Sequence, residues 1–418
     1  MLTRLRLERF KNFQDAVLYT GPLTILVGAN ATGKSNVREA LRFVHGIARG
    51  YTLAEIVDEK RGLGGELQWR GIRGGFRDLT YLGARTFALE VDFQMRYKGR
   101  PRHATYRIEV EVGDKRRAPH VVAESLWVKG VGTVLNSHPG GKAIELHDSL
   151  ITVELLLGKQ RHVRSFVPEQ PVIAQLADRS GIPASFKAVA GKALEALHSM
   201  RFHDLDLGAI REPSTPGQKT LGDGGENLSS VLQAICANEE QERALVAWLR
   251  ALTPLDADGL AFPEDAAGRV LVNLREGDHL ISAISASDGT LRFLAMLAAL
   301  LGPRPAECYF FDELETGIHP TRLHLLVQLI EQRVRAGGIQ VIATTHSPQL
   351  LAMLSRSSLE GVSLVYRLPG KPAGRIKRIL EIPDAKRVVE QQDVSRLHAS
   401  GWLEDAVFFT AEEEGGDE

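Results

Sequence analysis

Gly28-Ala29-Asn30-Ala31-Thr32-Gly33-Lys34-Ser35 places two glycines, a lysine and a hydroxyl at the spacing G-x-x-x-x-G-K-[ST]. This is the pattern of a loop that cradles phosphate groups between a strand and a helix. Glycines let the backbone turn tightly, so that its N–H groups face anionic oxygens. The following helix adds its positive N-terminal end. In that chemistry Lys34 reaches the β- and γ-phosphates of a nucleotide and the Ser35 hydroxyl holds Mg2+. Two more groups fit the same chemistry. Cys308 to Phe311 is apolar and runs into Asp312 and Glu313. Carboxylates at the carboxyl end of a buried strand sit where α/β proteins place ligands. Asp312 is therefore a candidate Mg2+ contact and Glu313 a candidate for polarising an attacking water. His346 follows a second apolar run, residues 339–343, and is expected at the same sheet edge, within reach of a γ-phosphate.

The elements that must position these groups are legible in outline. Leu2, Leu5 and Leu7 alternate with Arg4, Arg6 and Glu8, a strand pattern. Residues 22–27 form a fully apolar strand that enters the glycine loop, and a helix follows over about 35–48. Residues 51–83 are glycine-rich and read as loop with short elements. Segments 87–95, 105–112, 121–128 and 151–157 read as strands of an antiparallel sheet. From 172 to 254 the pattern turns mostly helical, with one long amphipathic helix expected over 228–252. Strands then alternate with helices: 271–274, 290–301, 308–311, 321–336, 339–344 and 348–354. Such alternation implies a parallel, doubly wound sheet. The last strands are expected at 362–367 and 375–382.

Composition excludes several classes. There are 51 Lys+Arg against 52 Asp+Glu, so no global charge draws the chain to nucleic acid or membrane. Two cysteines, Cys236 and Cys308, give neither a disulfide scaffold nor a zinc cluster and suit a reducing compartment. No apolar run reaches the roughly 18 residues of a membrane span. A soluble, cytoplasmic protein is expected, with no membrane contact.

Taken together, the phosphate loop, Ser285-Ala286-Ser287-Asp288-Gly289-Thr290, Asp312-Glu313 and His346 resemble the ABC-type ATPase heads. More narrowly they resemble the RecF/OLD-type ATPases, a branch related to SMC proteins. Leu5 to Phe13, ending Lys11-Asn12-Phe13, resembles that branch's opening strand, and Val27 through Asn36 its phosphate loop. Ser287 to Arg292 matches its signature segment, and Phe311 to Pro320 its Walker B and D-loop. The resemblance covers about 1–91 and 269–382. It implies an α/β fold: an ABC-type P-loop ATPase head with an antiparallel β subdomain and a mostly helical insertion. The implied domains are an N-terminal lobe, 1–112; an inserted domain, 113–265; a C-terminal lobe, 266–395; and a segment with an acidic tail, 396–418. It also implies ATP and Mg2+ as ligands. Asn30, Ala31, Thr32, Gly33, Lys34, Ser35 and Asn36 would hold the nucleotide. Ser35 and Asp312 would hold the metal, with Gln68 as a candidate Q-loop contact. Lys34, Glu313 and His346 would carry catalysis. Two heads would sandwich ATP, with Ser287, Gly289 and Thr290 of one capping the γ-phosphate held by the other. A homodimer or higher oligomer follows.

The pattern departs from neighbouring families. The signature is not the LSGGQ type of transporter heads, and the stretch between Lys34 and Asp312 is long for a transporter motor. A metal-binding TOPRIM nuclease domain is not expected after His346. Glu412, Glu413, Glu414, Asp417 and Glu418 lie in a low-complexity tail, which reads as disordered. Arg70, Arg73 and Arg77, Lys115 to Arg117, and Arg161 with Arg164 are basic loops that could meet DNA, although solvated surface is the commoner role. The expected function is an ATP-driven switch or scaffold for a separate effector, in bacterial antiphage defence. The alternative is a RecF-like ATPase of DNA repair or maintenance.

Overall fold

The structure, a computed structural model, describes residues 1–62, 67–113, 117–137, 150–252, 257–382 and 406. Lys115, Arg116 and the acidic tail lie outside them. The chain divides into two compact units that interleave along the sequence. The first comprises 1–21, 28–199 and 363–378; the second comprises 22–27, 200–362 and 379–418.

The first unit is built on an eight-stranded antiparallel sheet. Its order is Gln160–Phe166, Ile151–Leu157, Gly132–Asn136, His120–Val128, Arg100–Glu111, Thr86–Tyr97, Leu2–Phe10 and Phe13–Tyr19. Alternation sets its two faces. Leu5, Leu7, Leu89 and Val91 are buried. On the other face Arg4 bonds Glu90 and Asp92, and Arg107 forks onto Glu8 at 2.9 and 3.0 Å. Cross-strand pairs of this kind fix register. The helix Lys34–Ala48 packs on the apolar face, where Phe87 meets Phe10 and Phe43 edge to face at 5.4 and 5.3 Å. The segment expected as an insertion from 113 thus begins with four strands that continue this sheet. Glu124 ties the sheet to the helix Val172–Asp178. Its buried carboxyl accepts from the Val172 and Ile173 N–H groups and the Tyr106 hydroxyl. Burial pushes its pKa up to about 7.

The second unit holds four parallel strands in the order Met200–His203, Cys308–Phe311, Gln340–Thr344, Leu23–Val27. The last three are buried at every residue, as a parallel strand covered on both faces requires. His203 pairs with Phe311, Phe311 with Ala343, and Ala343 with Ile25, so the strands end level.

Several expectations change. The strand expected at 271–274 is Asn273–Glu276, in a separate three-stranded antiparallel sheet with Gly259–Ala261 and His279–Ser282. The outer position in the parallel row belongs to Met200–His203, a segment too short to stand out in a helical stretch. The helix expected over 228–252 is two helices, Leu228–Cys236 and Glu239–Leu252. Asn238 breaks it, because its side chain accepts from the Glu240 and Gln241 N–H groups and caps the second helix. Residues 375–382 hold a strand only to Arg378, followed by a short 3-10 turn. Among the described residues, no helix is long and apolar enough to cross a membrane.

Candidate active site

In the first unit the phosphate loop leaves Val27 and ends in the helix Lys34–Ala48. Gly28, Ala31 and Gly33 all have positive φ, 145°, 63° and 121°. A Cβ at Gly28 would lie 2.1 Å from the Val365 carbonyl oxygen, so only glycine fits there. Lys34 is buried, with Nζ donating to the Gly28 and Ala29 carbonyls at 2.5 and 2.9 Å. Thr32 Oγ1 donates to Ala29 O at 2.9 Å. The helix has a glycine N-cap, no capping side chain and no acid in its first turn. Its positive end is therefore left to attract an anion.

Asn12 braces this loop. Its Nδ2 donates to Thr32 O at 2.7 Å, and its Oδ1 accepts from Asn36 Nδ2 at 2.7 Å. Its own carbonyl accepts from the Gly374 N–H at 2.7 Å. One side chain thus joins the loop to the first turn of its helix. The sequence marks Asn12 only as part of the opening phrase.

In the second unit the acids and the histidine emerge from adjacent parallel strands. Thr344 connects them. Its hydroxyl donates to Asp312 Oδ1 at 2.6 Å and accepts from the Glu313 N–H at 2.8 Å. Its carbonyl accepts from the Leu314 N–H at 3.0 Å. These bonds hold Glu313 in a left-handed conformation, φ 47°, unusual for a residue with a Cβ. Glu313 Oε1 lies 3.5 Å from His346 Nε2, and Glu313 Oε2 accepts from Thr316 Oγ1 at 3.1 Å. Glu313, Asp312 and His346 are thereby brought together. His203, level with Phe311, stacks beside both the Tyr309 and Phe311 rings. Burial pulls its pKa down to about 4, so it packs as a neutral aromatic.

The signature residues open the helix Asp288–Leu301. Ser287 caps it by accepting from the Thr290 N–H at 3.2 Å, and the two hydroxyls lie 2.8 Å apart. A Cβ on Gly289 would meet the Gly317 carbonyl oxygen at 2.3 Å, so the signature turn and the D-loop touch backbone to backbone. Arg211 binds Asp288 at 2.7 Å and the Ala286 carbonyl at 3.1 Å. Nothing in the sequence near Arg211 signals this role, since its partners are more than seventy residues away.

Gln68 is a correction. It lies on Leu67–Trp69, its side chain exposed and its carbonyl bonded to Arg49 at 3.2 Å. Arg49 closes the helix that Lys34 opens, and 15 residues span about 22 Å. Gln68 is anchored at the far end from Ser35, and its side chain is too short to share a metal with it. Two basic candidates form ion pairs while staying about 70% exposed: Arg73 with Glu39, and Arg161 with Glu154.

A family model described as "AAA domain, putative AbiEii toxin, Type IV TA system" matches residues 23–124 and 224–352, more than half of the chain. The chain belongs to this AAA family. Curated proteins give no match. Among solved structures, the Smc head bound to the C-winged helix domain of ScpA is similar, with TM-score 0.53 and 14% identity. The alignment covers 90% of this chain and 97% of that one. An Smc head with an extended coiled coil, bound to the C-terminal domain of ScpA derived from Pyrococcus furiosus, gives 0.53 and 13%, covering 93% and 98%. At such identities the likeness is one of fold. The AAA chain is thus an α/β P-loop protein with an SMC-head-like fold, as the resemblance implied.

Proposed function

We propose that this AAA protein binds and hydrolyses ATP, dimerises around it, and serves as a switch for a separate effector, in antiphage defence. The observation that carries the reading is the Thr344 hydroxyl. It holds Asp312 and Glu313 at the end of Cys308–Phe311, one strand removed from the one feeding the phosphate loop, with Gln340–Thr344 between them.

In this reading the loop N–H groups and Lys34 bind the phosphates. The Ser35 hydroxyl and the Asp312 carboxylate are hard oxygen donors that fit Mg2+. That ion would supply charge neutralisation on the phosphate oxygens. Glu313 orients and polarises the attacking water, and His346, beside it, bonds the γ-phosphate. Ser287, Gly289 and Thr290 of a second copy cap that phosphate, with the Asp288 charge already balanced by Arg211. The family description, which names a toxin–antitoxin system, supports the defence setting. The Smc heads described with ScpA support an effector partner.

Calorimetry tests the assignment. Lys34→Ala should lose ATP binding; Glu313→Gln should keep it while turnover falls roughly 10²-fold or more, the scale of a general base. Equal ATP affinity in wild type and Lys34→Ala removes the phosphate-loop assignment.

A further inference from the structure

The first unit contains a cavity of about 960 Å3 to which the phosphate loop contributes no residue. It lies where three hairpin turns meet one face of the helix Ala184–His198. Its volume falls within the range of small-molecule sites. Val131 and Leu157 supply an apolar wall. Lys98, Lys187 and Lys192 supply three ammonium groups, and among the described residues no carboxylate lines the space. Lys192 shares its charge with Glu195. Lys98 and Gly99 have φ of 50° and 73°, the two left-handed residues of a tight hairpin turn. This turn sets the Lys98 ammonium 5.5 Å from the centre of the Tyr97 ring.

The helix leaves the space open. Ala184, Ala188 and Gly191 recur at i, i+4 and i+7 along it. A Cβ built on Gly191 meets no atom within 4 Å. Glycine weakens a helix interior relative to alanine. At Gly191 that sacrifice is not demanded by a crowded neighbour, and its effect is to keep the cavity clear.

We propose that this cavity binds a small organic anion that joins a phosphate, or a similar acid group, to an apolar body. Lysines recognise phosphate as point charges, and the apolar wall accounts for the body. The site is independent of the nucleotide reading.

Calorimetry on the full chain with 1-naphthyl phosphate tests it, with inorganic phosphate and 1-naphthol as separate arms. Saturable binding at one per chain is expected, with each half-ligand weaker by about tenfold or more. Lys98→Gln with Lys187→Gln should weaken 1-naphthyl phosphate by a similar factor and leave 1-naphthol unchanged. Gly191→Phe should abolish binding by filling the space, and Ala188→Leu is the milder variant should the first fail to fold. Binding should persist in Lys34→Ala. Absence of saturable binding, unchanged affinity in the folded blocking variants, equal affinity for either half-ligand, or loss in Lys34→Ala overturns the proposal.

Discussion

Glu315 holds His346 by its main chain. Its Oε1 accepts from the His346 N–H at 2.8 Å, while its Oε2 accepts from the Thr345 hydroxyl at 2.8 Å. The D-loop carboxylate therefore fixes the turn that presents the histidine. In the proposed mechanism Glu315 acts through His346, as a positioning residue.

Glu315→Gln leaves one oxygen to satisfy two donors. The expected outcome is slower hydrolysis with ATP affinity within about threefold of wild type, since a hydrogen bond to a charged group contributes on the order of 1.5–3 kcal/mol. The loss should fall on kcat rather than KM. The pH–rate profile should also shift, because the imidazole is displaced relative to Glu313. A variant with wild-type kcat and pH profile would leave Glu315 as a structural tie only.

Thr344→Val keeps the shape of a fully buried residue and deletes the hydroxyl between Asp312 and Glu313. The Glu313 N–H then lacks its acceptor, at a cost of about 1–3 kcal/mol. Thermal unfolding should register that loss, and turnover should fall at saturating Mg2+. Unchanged turnover would show that Thr344 does not set the acids.

Asn12→Ala removes both side-chain bonds that brace the phosphate loop. ATP binding should weaken by roughly tenfold, with hydrolysis at saturation less affected. Asn12→Asp should be worse, because a carboxylate faces the Thr32 carbonyl. Equal affinity in all three proteins would contradict the bracing role.

The phosphate loop, the Walker acids and His346 were legible because their chemistry requires fixed residue types at fixed local spacing. The apolar strands that carry them were legible for the same local reason. Contacts between distant segments were not. Arg211 meets Asp288, and Asn12 meets Thr32, only after the chain has folded back. Met200–His203 escapes notice because four residues inside a helical stretch are too few to establish a period. Gln68 was misplaced because local sequence does not say which end of the first helix its strand packs against.

Glu124 predicts a pH dependence. Its carboxyl is raised from 4.5 to about 7 by burial, against the pull of its three donors. The folded state therefore holds this proton more tightly than the unfolded state. Its contribution to stability is full below about 4.5 and is lost as pH rises to about 7. Denaturant melts of wild type and Glu124→Gln across that window should diverge, with the wild type losing stability relative to the variant as pH rises. Parallel curves would show that Glu124 titrates normally.

The shared site between two copies is the central claim, and mixing two inactive variants tests it most directly. Lys34→Ala disables the phosphate loop; Ser287→Arg places a bulky cation where the signature would cap the γ-phosphate of the other copy. Each alone should be inactive. A mixed dimer contains one site with an intact loop and an intact signature, so ATPase activity should return, rising to a maximum near equal proportions. Absence of recovery at every ratio, with mixed dimers shown to form, would contradict the account.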